Sequence, residues 1–145
     1  MSIDMHNIVL SINTLNHLFL RNIEKELVKN RVRDINSLQA LTIYNIGIDG
    51  STISKVQTNG FKIGTNISYN IFKLEKLKYI FKIPNIHDER SVCVKITEKG
   101  IAVINIVDSV IMSQSELLKE FYDKGYNSDI KDNILFKLQK IWSEE

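Results

Sequence analysis

Residues 64–100 read GTNISYNIFKLEKLKYIFKIPNIHDERSVCVKITEKG, and the hydrophobic period changes twice within them. Gly64–Thr65–Asn66 offers a helix start, after which Ile67, Ile71, Leu74 and Leu77 recur at steps of four, three and three. That spacing is one apolar face of a helix, expected over about 65–77. Its opposite face shows Thr65, Asn66, Ser68, Tyr69 and Lys73, hydrogen-bonding side chains crowded into the first turns. From Tyr79 the period becomes two. Tyr79–Ile83 predicts a strand, Pro84–Ser91 a polar turn, and Val92, Val94 and Ile96 alternate with Cys93 and Lys95. Residues of about 79–96 should therefore form a β-hairpin with a charged tip. Thr97 is the expected N-cap of a further helix, with Glu98 placed to complement the helix dipole. Ile101, Ile104, Val107 and Ile111, then Leu118 and Phe121, give that helix its apolar stripe as far as about Tyr122, and Gly125 ends it.

Upstream, Ile3–Val32 contains no Gly or Pro, and Ile8, Ile12, Leu15, Phe19, Ile23 and Leu27 recur at helical steps. A helix of that length, about 40 Å at roughly 1.5 Å per residue, exceeds what a small domain can wrap around itself, so it is expected to meet a second subunit. Ile35–Ile46 predicts a second helix stopped by Gly47 and Asp49–Gly50, and a short third one should start near Ser51. Asn59–Gly60 is a turn signal. Downstream, Ile130, Ile134, Leu138 and Ile141 predict a last helix from Ser128 or Asp129. The expected order is a long helix, three shorter ones, a hairpin, a long helix and a short one. The fold class is mainly α with a small β wing.

The chain has 145 residues, 43% hydrophobic and 25% charged, as an ordinary globular domain does. No apolar run approaches the roughly 20 residues needed to span a bilayer. Met1–Leu10 lacks a basic n-region and carries Asp4 and His6, so it does not read as a signal peptide; residence in the cytoplasm is expected. One cysteine, Cys93, excludes an internal disulfide, and His6, His17 and His87 are scattered without metal-ligand spacing, so neither a metal nor another cofactor is expected. An isolated thiol is usually inert, with redox sensing as the rarer alternative. Dispersed histidines and the lack of a Gly-rich phosphate loop leave no recognisable catalytic set, so no enzyme activity is expected.

Net charge is only +2, but it is unevenly distributed. Residues 1–54 are neutral, 55–99 carry nine basic side chains against four acidic, and 100–145 carry five against eight. A basic middle between neutral and acidic ends fits a segment that faces phosphates, although a solvated lysine-rich surface would look the same. A helix with short polar side chains near its N-terminus can enter the roughly 12 Å major groove of B-DNA, and an adjacent hairpin can track the backbone. Lys73, Lys76 and Lys82 would then neutralise phosphates without sequence preference.

These blocks resemble the MarR winged helix-turn-helix regulators. Residues 66–80, NISYNIFKLEKLKYI, look like the family's recognition helix, and DERSVCVKITEKG, 88–100, like its wing and the following helix start. SLQALTIYNIG, 37–47, together with GTNISYNIFKL, 64–74, is similar to one branch of the family, so the resemblance spans about 35–104. It implies a winged-helix lobe over 35–100 flanked by dimerisation helices at 3–32 and 101–145. It also implies a homodimer on a pseudo-palindromic double-stranded DNA operator, and a small-molecule effector between the dimer helices and the lobe. Arg90 stands where family members place a minor-groove arginine and Asp88 where they place its orienting carboxylate; Ser68, Tyr69 and Lys73 match groove-facing positions. Thr65 and Asn66 would cap the helix and offer amides to phosphate, while Lys76, His87 and Ser91 complete the expected DNA-binding set. One position departs: Lys78 stands where the family usually has Gly, and lysine tolerates positive φ poorly. The competing reading is a winged-helix scaffold that binds proteins and not DNA.

Overall fold

The computed structural model describes residues 2, 4–64 and 66–123. Helix α1 covers Met5–Lys29, α2 Ser37–Ile46, strand β1 Ser51–Thr52, α3 Ile53–Thr58, α4 Ile67–Lys76, β2 Ile80–Pro84, β3 Val92–Ile96 and α5 Glu98–Asp123. Thr65, the stop expected at Gly125 and the helix expected from Ser128 lie outside the described residues, as do the side chains of Leu118 and Phe121. The chain divides into one compact unit up to Val110 and a second from Ile111.

Each helix ends for a local reason. In α1, Asp4 accepts from the Asn7 amide at the N-terminus. At the other end the amide of Arg31 donates to Val28 O and that of Val32 to Leu27 O. This paired closure needs a left-handed residue after the cap, and Arg31 supplies it at φ 63°. The helix therefore stops at Lys29, short of the Val32 expected from periodicity. Helix α2 opens with a reciprocal capping box: Gln39 N donates to Asn36 Oδ1 at 2.9 Å and Asn36 N to Gln39 Oε1 at 3.0 Å.

The hairpin is one part of a three-stranded antiparallel sheet, order β1-β3-β2. Two residues, Ser51 and Thr52, pair with Val94 and Cys93. A strand that short carries no periodicity, which is why the sequence predicts only a helix start there. Pro84, expected in the turn, pairs with Val92 at the end of β2. It takes the strand's last position, where a missing N–H costs least. Cys93 lies half-buried in central β3 between Thr52 and Ile83.

The core gathers Ile23 and Leu27 of α1, Leu41, Ile43 and Ile46 of α2, Ile67, Ile71 and Leu74 of α4, Ile80 and Val94 of the sheet, and Val103 and Val107 of α5. On α5 the inward face is Val103, Ile104, Ile106, Val107 and Val110, whereas Ile101, expected on the stripe, is exposed. Gly100 has a packing reason: a Cβ there would stand 2.5 Å from Tyr79 O and 3.0 Å from Ile96 Cβ, so α5 meets the sheet at bare backbone. Thr97 caps α5 as expected, its Oγ1 accepting from Gly100 N at 3.3 Å while donating to Lys78 O at 2.7 Å.

Tyr79 is the buried polar centre. Its hydroxyl donates to Asp34 Oδ1 at 2.5 Å, and Lys99 Nζ lies 3.3 Å from Asp34 Oδ2 and 4.1 Å from the Tyr79 ring centre. Burial, and then the hydrogen bond to Asp34, push the Tyr79 phenol well above its ordinary value of 10. Burial acts to raise Asp34, but the bonds from Tyr79 and Lys99 outweigh it and hold the carboxyl below its ordinary 3.8.

Lys78 does adopt the left-handed conformation, at φ 64°. Its amide donates to Glu75 O and the Tyr79 amide to Leu74 O, so α4 closes as α1 does. A side chain there costs about 1–2 kcal/mol, partly offset by glycine's greater chain entropy. Lys78→Gly should raise unfolding stability by about 1 kcal/mol, checked by urea titration.

The Asp34–Tyr79 pair sets two pH limits. A depressed carboxylate contributes stability that is present above its ordinary 3.8 and lost as pH falls through the folded value. A raised phenol contributes stability that is present below 10 and lost as pH climbs above it. Thermal melts from pH 2 to 11 should show Asp34→Asn less stable than wild type at neutral pH, the gap narrowing below about pH 4. A gap that stays constant on the acid side would contradict the pairing.

Candidate nucleic-acid interface

Helix α4 turns about 100° per residue, and its inward positions are fixed by burial of Ile67, Asn70, Ile71 and Leu74. The opposite ridge is then Tyr69, Phe72 and Lys76, with Ser68 and Lys73 on its flanks. Tyr69 is 59% exposed and Phe72 60%; Ser68 and Lys76 are exposed, and Lys73 is half-buried. Phe72 is absent from the set expected from sequence. A helical wheel centred on Ile71 and Leu74 carries the signal, since it puts Phe72 about 140° from Ile67 and far from the core face.

Three contacts aim this ridge. Buried Gln39 of α2 donates from Nε2 to Asn70 Oδ1 at 3.4 Å. The side chain of Asn45, also on α2, grips the loop before α4 from both sides, donating to Phe61 O at 2.7 Å and accepting from Phe61 N at 2.9 Å. The Phe61 ring lies between Phe19 and Tyr44, with ring centres 5.4 and 5.8 Å away. Gly60 makes the grip possible: at φ 79°, a Cβ would fall 2.3 Å from Asn45 Oδ1. Asn66 occupies the N-cap of α4 but makes no side-chain capping bond, contrary to expectation; its φ of −95° and ψ of 38° are not the extended values such a bond uses.

In the wing, β2 and β3 hold residues 85–91 between them. The loop is fastened internally. Asn85 Nδ2 donates to Ser91 Oγ at 2.7 Å, the His87 amide donates to Asn85 Oδ1 at 3.1 Å, and Asp88 Oδ1 accepts from the Arg90 amide at 2.9 Å. Asp88 thus orients the backbone of Arg90. The Asp88 side chain reaches the amide two residues on and so closes an Asx turn. Ser91, expected to meet DNA, is half-buried as a fastener. His87 and Arg90 are exposed, and Ile86 stands 94% exposed beside them. Lys82 lies 3.9 Å from Glu75, a loose ion pair between β2 and α4.

Residues 35–100 match the model of the winged helix DNA-binding domain. Helices α2, α3 and α4 with the three-stranded sheet are that domain. Over 99% of its length the chain superposes on 98% of a MarR-like transcription regulator from Bacillus cereus ATCC 10987, with TM-score 0.62 and 23% identity. It likewise matches S. aureus MepR in a DNA complex at TM-score 0.68 and 18% identity, covering 94% of this chain and 97% of that one. The chain thus carries a winged helix domain and shares the fold of MarR-like regulators of known structure. It is also 26% identical over 117 residues to the exopolysaccharide II synthesis transcriptional activator ExpG of Rhizobium meliloti (strain 1021). That match covers 81% of this chain and spans 60% of the relative.

If the Asn45 grip aims α4, its loss should loosen the helix without touching the outward ridge. Gly60→Ala should destabilise the domain by about 1–3 kcal/mol. Amide exchange should rise across residues 59–66 before it rises in β3.

Proposed function

We propose that this protein is a sequence-specific double-stranded DNA-binding transcriptional regulator that works as a homodimer on a pseudo-palindromic operator, and is not an enzyme. The observation that carries the reading is the outward ridge of α4. A helix anchored by its whole inner face presents Ser68, Tyr69, Lys73 and Lys76 to one side, on the element that a winged helix domain uses to enter the major groove. S. aureus MepR, which shares this architecture, has been solved with DNA.

The roles divide by chemistry. Ser68 and Tyr69 reach base edges, and Lys73 and Lys76 neutralise phosphates. Arg90, always charged and held by its turn, enters the minor groove, with His87 beside it. Asp88 and Ser91 keep the wing tip in shape. Asn66 and Thr65 contribute from the N-terminus of α4, where amides left uncapped by Asn66 can meet a phosphate.

Dimerisation is supported by α1. Met5, Val9, Leu10, Leu15 and Leu18 are all at least 41% exposed in the single chain, an apolar surface that a second copy would cover. Residues 3–32 and 101–145 are assigned to this dimer region, and 35–100 to the DNA-binding lobe. A small-molecule effector would set occupancy of the operator, and such a regulator would act in the cytoplasm.

Gel shifts on genomic fragments at two salt concentrations test the proposal. Binding should weaken steeply with salt. Lys76→Ala should lower the log–log slope by about one per subunit whatever the sequence. Arg90→Ala should cost at least about tenfold in affinity while sedimentation still shows a dimer. Salt-insensitive or absent binding would favour the protein-scaffold reading.

A further inference from the structure

The most exposed aromatic ring on α4 lies outside the core. Phe72 is 60% exposed, faces away from Ile71 and Leu74, and among the described residues makes no aromatic pair. Tyr69, one turn earlier on the same ridge, is 59% exposed. A tyrosine can use its hydroxyl in water or against a base edge, but a phenylalanine side chain has no donor or acceptor. On a face otherwise made of Ser68, Lys73 and Lys76, it gains only by leaving water against something apolar.

The floor of a major groove offers such a surface in one place. Guanine, adenine and cytosine present donors and acceptors there, whereas thymine adds its C5-methyl group. We propose that Phe72 is a specificity-determining residue that packs on thymine C5-methyl groups, so that the preferred half-site carries thymine under the middle of α4. This rests on the DNA-binding reading above and names the base that the same face selects. Lys76, on the same line, and Lys73, on its flank, reach phosphates and hold α4 in the groove with the ring toward its floor. Selection at this point comes from burial of apolar area and not from hydrogen bonding, so it is insensitive to salt while overall affinity is not.

The test removes the methyl group alone. Duplexes enriched from random DNA by the wild-type protein are resynthesised with each thymine replaced singly by 2′-deoxyuridine, which keeps every hydrogen bond. At one or two positions per half-site, deoxyuridine should weaken wild-type binding about fourfold, and about fifteenfold when both half-sites are changed. Phe72→Ala should bind the thymine duplex more weakly, show no further loss with deoxyuridine at those positions, and retain the wild-type salt slope and melting temperature. Wild-type binding that tolerates deoxyuridine everywhere would overturn the inference while leaving DNA binding standing. So would a penalty that persists in Phe72→Ala. Enrichment of no sequence would overturn the proposed function, and this inference with it.

Discussion

Tyr79 is the joint through which the elements of the lobe constrain one another. Its amide closes α4 on Leu74 O, its carbonyl accepts from Thr97 N at 3.0 Å, and its backbone leads directly into β2. Its hydroxyl reaches Asp34 in the α1–α2 link, and Gly100 of α5 packs against its carbonyl at a distance no side chain permits. One residue thereby fixes where the candidate recognition helix stops, where the wing begins and where α5 leaves. A buried phenol that kept its hydroxyl unpaired would cost about 1–3 kcal/mol, so Asp34 is required by the position of Tyr79 and not an addition to it. The left-handed Lys78 follows from the same constraint: the chain must reverse within one residue to deliver Tyr79 inward.

The wing is stiffened by different means. It has little apolar surface to bury, and its tip is built from side chains that bond to backbone: Asn85 to the His87 amide, Asp88 to the Arg90 amide, and Ser91 to the Asp88 carbonyl at 3.3 Å. Such turns reduce the conformations available before any ligand arrives, which lowers the ordering cost of association. Arg90 gains from this twice, because its backbone is set while its guanidinium stays free to reach.

Elements that bury a periodic face were legible from sequence. Ile67, Ile71 and Leu74 place α4, and the alternation through Val94 and Ile96 places β3, because burial itself imposes those periods. Thr97 was readable as a cap by chemistry alone. What escaped depends on contacts between distant residues. Strand β1 is two residues whose pairing exists only because β3 lies beside them. Asn45 and Gln39 look like ordinary polar helix residues until Phe61 and Asn70 arrive. The end of α1 at Lys29 was hidden because an arginine, not a glycine, takes the left-handed position. In the site, the outward position of Tyr69 follows from the helical period, whereas the bond from the Arg90 amide to Asp88 depends on how the tip turns, which no period encodes.

The rotation of α4 about its own axis decides which side chains can meet a groove. Apolar packing sets it only loosely: isoleucine and leucine fill similar space, and small turns of the helix change buried area little. The buried amide pair of Gln39 and Asn70 is directional, and Gln39 is itself held in the capping box of α2. Turning α4 by one residue's 100° would break that pair, leave two buried amides unsatisfied and bring Phe72 toward the edge of the core. The polar pair therefore selects, among nearly equal apolar packings, the one in which Tyr69, Phe72 and Lys76 form the outermost line.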